Sequence, residues 1–124
     1  MRPGTVLEYE PTDPILHLRI CWPFLSYEAF NAIHMSETLN IAYELIQIRT
    51  GHGLKRIYRT GVTPVGTPQA ITDEARKVFE MAFGADGAKK RAKIQRVREQ
   101  FKAAWSEQGD SRRATEQLLA DIEV

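Results

Sequence analysis

The feature that most constrains this chain is a pair of strand-like runs, residues 15–22 and 41–48, separated by one short helix-like stretch. In the first run Leu16, Leu18, Ile20 and Trp22 alternate with His17 and Arg19, which puts the apolar side chains on one face of an extended strand. Pro23 follows and ends the ladder, because it has no N–H to give a neighbouring strand. Residues 27–39 suit a helix, with Ser26 as N-cap and Phe30, Ile33, His34 and Glu37 at three- and four-residue steps. Asn40 is a plausible stop, and the second run, IAYELIQI, is rich in β-branched and aromatic residues. Strand, helix and strand make a βαβ-like unit, which demands parallel pairing and cover on both faces of the sheet. Two parallel strands with open edges are not independently stable, so the pattern predicts the margin of a larger sheet.

The remainder reads as one long loop and three helices. Glycines at 51, 53, 61 and 66 and prolines at 64 and 68 punctuate the loop, with room for a short strand near 54–58. Thr67 followed by Pro68 is a helix-start signal, since proline is tolerated where the N–H has no intrahelical partner. Ile71, Ala75, Val78, Phe79 and Ala82 form the apolar stripe of that helix, and Gly84 ends it. Asp86 opens the longest helix, with Ile94, Val97, Phe101, Ala104 and Trp105 on one face and Gly109 as its stop. Ser111 can cap a last helix that buries Ala114, Leu118, Leu119 and Ile122. The expected class is therefore α/β, with short parallel strands and three C-terminal helices.

A chain of 124 residues makes one domain. Seventeen basic against sixteen acidic residues leave +1, so no whole-chain field draws it to nucleic acid or an anionic membrane, and no nucleic-acid partner is expected. The single Cys21 excludes an internal disulfide and a cysteine metal cage, and it reads as a small buried hydrophobe. No apolar run approaches the ~18 residues of a membrane span, and the start lacks the apolar stretch of a secretory signal. The expected location is cytoplasmic. Residues 1–14, with three prolines and several acidic groups, read as a flexible arm, leaving 15–124 as the folded unit.

The stretch ICWPFLSYEAFNAIHMSETLNIAYEL resembles the tail of the signature box of UDP-dependent glycosyltransferases. In that box a strand ends in Trp-Pro, an acidic residue and a glutamine follow, and an asparagine opens the next helix. AYELIQIRTGHG, GVTPVGTPQAITDEAR and FKAAWSEQGDSRRATEQLLADI resemble, in the same order, the C-terminal part of fungal members, so that the likeness covers 18–124. The resemblance implies the GT-B fold, in which two Rossmann-like halves hold the donor nucleotide and the acceptor. This chain is then a partial Rossmann-like C-terminal half, the donor side, with a UDP-sugar as co-substrate and no further cofactor. The upstream part of the box, with its His-Cys-Gly-Trp-Asn segment, has no counterpart before Ile15, and neither has the catalytic histidine region. The expectation is a truncated unit inactive alone, or part of a polypeptide longer at its amino end.

Independently of the family, a carboxylate beside an amide at the carboxyl end of a parallel strand is placed to bond sugar hydroxyls. Aligning Trp22, Pro23 and Asn31 with the box puts Tyr27 at the acidic position and Glu28 at the glutamine position. Neither matches. Glu28 is the candidate donor-sugar contact; its plainer role is an exposed first-turn glutamate favoured by the helix dipole. Trp22 and Pro23 serve packing and strand termination. No catalytic residue and no metal ligand is assigned.

Other motifs are weaker. After Gly87, Lys89, Lys90, Arg91, Lys93, Arg96, Arg98 and Lys102 face Glu99 alone, but Asp86 and Glu107 break the run, and it reads as a solvated face rather than a phosphate or membrane surface. Gly51-His52-Gly53 is a turn, since no phosphate-loop pattern follows it. His17, His34 and His52 are too scattered for a metal site. A rival reading, a small helical interaction module binding a partner chain or a second copy of itself, rests on the wide apolar stripes near Trp105 and Leu118.

Overall fold

The computed structural model describes residues 17–23 and 26–122. The expected arm over 1–14 lies outside the described residues. Strand β1 (Arg19–Cys21) leads into helix α1 (Ser26–Ile33), a π-helical turn (His34–Thr38) and strand β2 (Ala42–Glu44). A 3-10 turn (Gly51–Leu54) and three helices follow, α2 (Pro68–Phe83), α3 (Ala85–Trp105) and α4 (Asp110–Ile122). The two strands pair in parallel, Arg19 with Ala42, Ile20 with Tyr43 and Cys21 with Glu44. The predicted crossover is therefore present.

Alternation along the strands fixes what lies on each face. Ile20 and Tyr43 share a face, where Tyr43, Val78 and Ala82 form the core and Leu18, Ile20 and Leu45 pack against it. Ala42 points the other way, and both it and Ala32 of α1 are fully buried. The crossover helix thus covers one face of the strands and α2 the other, with α3 packed on α2.

Both strands are shorter than their apolar runs. Leu45 N–H still donates to the Cys21 carbonyl at 2.9 Å, but the amides of Ile46 and Gln47 are taken by the Glu74 carboxylate of α2, each at 2.8 Å. Once a side chain satisfies those donors, the backbone gains nothing by staying in the ladder. No strand forms over 54–58. There Ile57 N–H bonds the Val62 carbonyl at 2.8 Å and Gly61 N–H the Ile57 carbonyl at 2.8 Å, closing a turn with Ile57 buried and Tyr58 fully exposed.

The helix boundaries follow the caps. Thr67 accepts from Ala70 N–H through its hydroxyl and Pro68 opens α2, as its sequence predicts. Gly84 separates α2 from α3, and a Cβ on Gly87 would lie 1.8 Å from the Ala82 carbonyl oxygen, so only glycine permits this close turn. Helix α1 begins at Ser26 itself, which places Ser26 inside the helix rather than at its cap. The expected single helix over 27–39 widens at His34, whose carbonyl accepts from Leu39 N–H at 2.9 Å, and Asn40 closes it at φ 52°.

Two further expectations are overturned. Helix α4 starts at Asp110 rather than behind a Ser111 cap, and it buries none of Ala114, Leu118, Leu119 and Ile122, because it packs on the end of α3 alone among the major contacts. Lys90 does not belong to a solvated face. It is 7% exposed, its ammonium lies 4.8 Å from the Tyr43 ring centroid, and it donates to the Asn40 side-chain oxygen. An aromatic face and an amide oxygen together make a buried ammonium tolerable.

Candidate functional site

In open parallel sheets ligands gather at the carboxyl ends of the strands. Here that edge is built by the residues after β1 and β2. Trp22 leaves β1 with 65% of its surface exposed, which overturns its expected packing role within these residues. Pro23 still ends the strand. The chain then turns into α1, whose first turn carries Tyr27, 63% exposed, and Glu28, half-buried, with the exposed Asn31 one turn further on. A phenol can give and accept one hydrogen bond and an ionised glutamate only accepts, so the pair can meet sugar hydroxyls but lacks an amide donor.

The end of β2 carries a cluster of ion pairs. The Glu44 side chain is 5% exposed and is held by two arginines, Arg49 at 3.1 Å and Arg59 at 2.6 Å. Arg59 also pairs with Glu37 of the π turn, so one guanidinium ties the post-β2 loop to both the crossover and the strand. Burial pushes the Glu44 carboxyl above its ordinary value, partly offset by Arg49 and reinforced by Glu74. Cys21, its register partner, is also raised, by burial first and then by Glu44, against the lowering effect of Arg19. Its thiol is accordingly a poor nucleophile.

The loop beyond is fixed as well. Gln47 accepts from Val65 N–H at 2.8 Å and Gly66 N–H at 3.2 Å, closing the loop at its base. Sequence reasoning missed this whole network. The one signal available was the absence of any acidic residue between Glu44 and Asp73, across a stretch holding Arg49, Lys55, Arg56 and Arg59. Such a stretch must borrow carboxylates from elsewhere.

The structure thus brings Tyr27, Glu28 and Asn31 together on the first turns of α1 and keeps His17, His34 and His52 in separate elements. Among the described residues no group of three His, Cys, Asp or Glu side chains could hold a metal ion. No described helix is long and apolar enough to cross a membrane.

Comparison with known proteins finds a relative. UDP-glycosyltransferase eriJ of Hericium erinaceus is 37% identical to this chain over 102 residues, which are 81% of the chain and 20% of that protein. The chain therefore spans about a fifth of the length of the curated relative it matches. No protein-family profile matches the chain, and no solved structure does. The likeness agrees with the glycosyltransferase resemblance read from the sequence and does not favour the interaction-module alternative.

Proposed function

We propose that residues 15–124 are the donor-side, C-terminal segment of a UDP-sugar-dependent glycosyltransferase of GT-B type, a partial Rossmann-like half whose β1-to-α1 junction lines the sugar end of the donor crevice. One observation carries this reading: β1 and β2 pair in parallel through a crossover helix whose first turn sets Tyr27 and Glu28 at the carboxyl end of β1. The similarity to a UDP-glycosyltransferase supports it.

On this reading Glu28 accepts hydrogen bonds from donor-sugar hydroxyls and Tyr27 exchanges one more, in place of the acidic residue and glutamine of the family pattern. The Arg59 bridge to Glu37 and Glu44 positions the crossover and touches no substrate. Transfer needs a base and both substrates in one crevice, worth several powers of ten in rate, and neither a base nor an acceptor site is assigned among the described residues. The chain alone is then a donor-side element without transferase activity.

The test replaces the matching fifth of the Hericium erinaceus relative with residues of this chain and measures sugar transfer from a UDP-sugar. The hybrid is expected to transfer with a raised donor KM that falls when Tyr27→Asp and Glu28→Gln restore the acidic and amide groups. A hybrid that folds and binds UDP yet transfers nothing, with or without those two changes, overturns the reading.

A further inference from the structure

A concave site lies at the amino ends of the strands, away from the carboxyl edge that carries Tyr27 and Glu28. It is a cleft of about 240 Å³ beneath the amino ends of β1 and β2. Its floor is Ile94 of α3, the most deeply buried large side chain among the described residues. Val97 continues that wall, Met35 and Leu39 of the π-helical stretch stand opposite, and Ile41 closes the end below β2. Among the described residues the polar side is made by His17 and Arg19, and no carboxylate of those residues lines the cleft.

Three features select the ligand class. The volume falls below the ~300–1,000 Å³ of sites for drug-sized molecules, so the cleft takes a short alkyl chain or a single ring. Its walls are apolar, and Met35 adapts to irregular shapes. The charged group among its described lining residues is the Arg19 guanidinium, which presents several donors in a fork that matches a carboxylate, so Arg19 can add such a contact to those it already makes. The wall itself depends on the π turn, closed by Leu39 N–H on the His34 carbonyl, which brings Met35 and Leu39 round, and such turns recur at functional sites. We infer that this cleft binds a small amphiphilic carboxylate, its apolar body against Ile94 and its carboxylate toward Arg19.

The probe is octanoate, titrated at neutral pH into the isotope-labelled full chain while amide shifts are followed, with octanol and octyltrimethylammonium as the neutral and cationic counterparts. Octanoate is expected to give saturable shifts at Leu39, Ile41, Ile94 and Val97, about tenfold tighter than octanol, the factor of one charge-assisted contact, and the cation none. Arg19→Gln should bring octanoate down to the level of octanol without changing octanol. Val97→Trp, or Met35→Trp from the other wall should the first fail to fold, fills the cleft and removes both. Equal affinity for octanoate and octanol in the unaltered chain, binding that survives the filled cleft in a folded variant, or no saturation by about ten millimolar overturns the inference.

Discussion

The Tyr43 hydroxyl donates to the Asp86 carboxylate at 2.5 Å, joining the second strand to the first turn of the longest helix across 43 positions of sequence. Burial, the bond to Asp86 and its negative charge push the Tyr43 phenol up to about 12, against a small opposing effect of Arg91. An unfolded tyrosine ionises near 10, so above that pH the unfolded chain loses its proton first and is favoured. The contribution is fully present below about pH 10 and disappears as pH rises toward 12. Tyrosinate absorbance should show a late step near pH 12 from Tyr43, and Tyr43→Phe should remove it.

Glu74→Ala removes both acceptors from Ile46 and Gln47 N–H, leaving two part-buried donors without partners. At roughly 1–2 kcal/mol for such a loss, chemical denaturation should register a drop of about 2 kcal/mol. Glu74→Gln keeps one oxygen acceptor and should lose about half as much.

The arginine bridge is partly exposed, at 23% for the Arg59 side chain, so solvent screens it and its removal is modest. Arg59→Ala should cost about 1 kcal/mol in denaturation. Its clearer signature is local. Amide hydrogen exchange should quicken across 51–62 while α2 and α3 keep their protection, since the bridge is what fastens that loop to Glu37 and Glu44.

Glycine replacements separate close approach from backbone strain. Gly87→Ala would set a Cβ 1.8 Å from the Ala82 carbonyl oxygen, an overlap relieved only by parting α2 from α3, and thermal denaturation should show a loss of about 3 kcal/mol or more. Gly51→Ala meets nothing within 4 Å and bears only the cost of its φ of 54°, about 1 kcal/mol.

What the sequence announced were the features governed by near neighbours. Thr67-Pro68 and Gly84 mark the limits of α2 because capping is decided within one turn. The parallel crossover was legible because alternation around Ile20 and the stop at Pro23 leave few other topologies. The π turn was not, since His34–Thr38 carries no residue that forbids an ordinary helix; its widening is accompanied by Asn40 in the left-handed region with its side chain held by Lys90. Lys90 looked like six other basic residues of α3, and only the Tyr43 ring, far off in sequence, makes it a buried one. Leu118, Leu119 and Ile122 repeat at helical spacing as a buried stripe would, yet more than half of each is exposed, because periodicity states which face is apolar and not what covers it. At the candidate site Tyr27 and Glu28 could be placed from Trp22, Pro23 and Asn31, whereas Glu44 with its two arginines could not, because the fold of the loop after β2 is what returns Arg49 and Arg59 to it.

The account depends on the 124 residues forming a parallel crossover with Tyr27 and Glu28 at its carboxyl edge. The most direct measurement is the scalar coupling across the hydrogen bond from Leu45 N–H to the Cys21 carbonyl, 2.9 Å in length, in the isotope-labelled chain. The account predicts that coupling, together with close Ile20–Tyr43 contacts in parallel register. A folded chain in which the coupling is absent and the two strands show antiparallel contacts, or none, contradicts it.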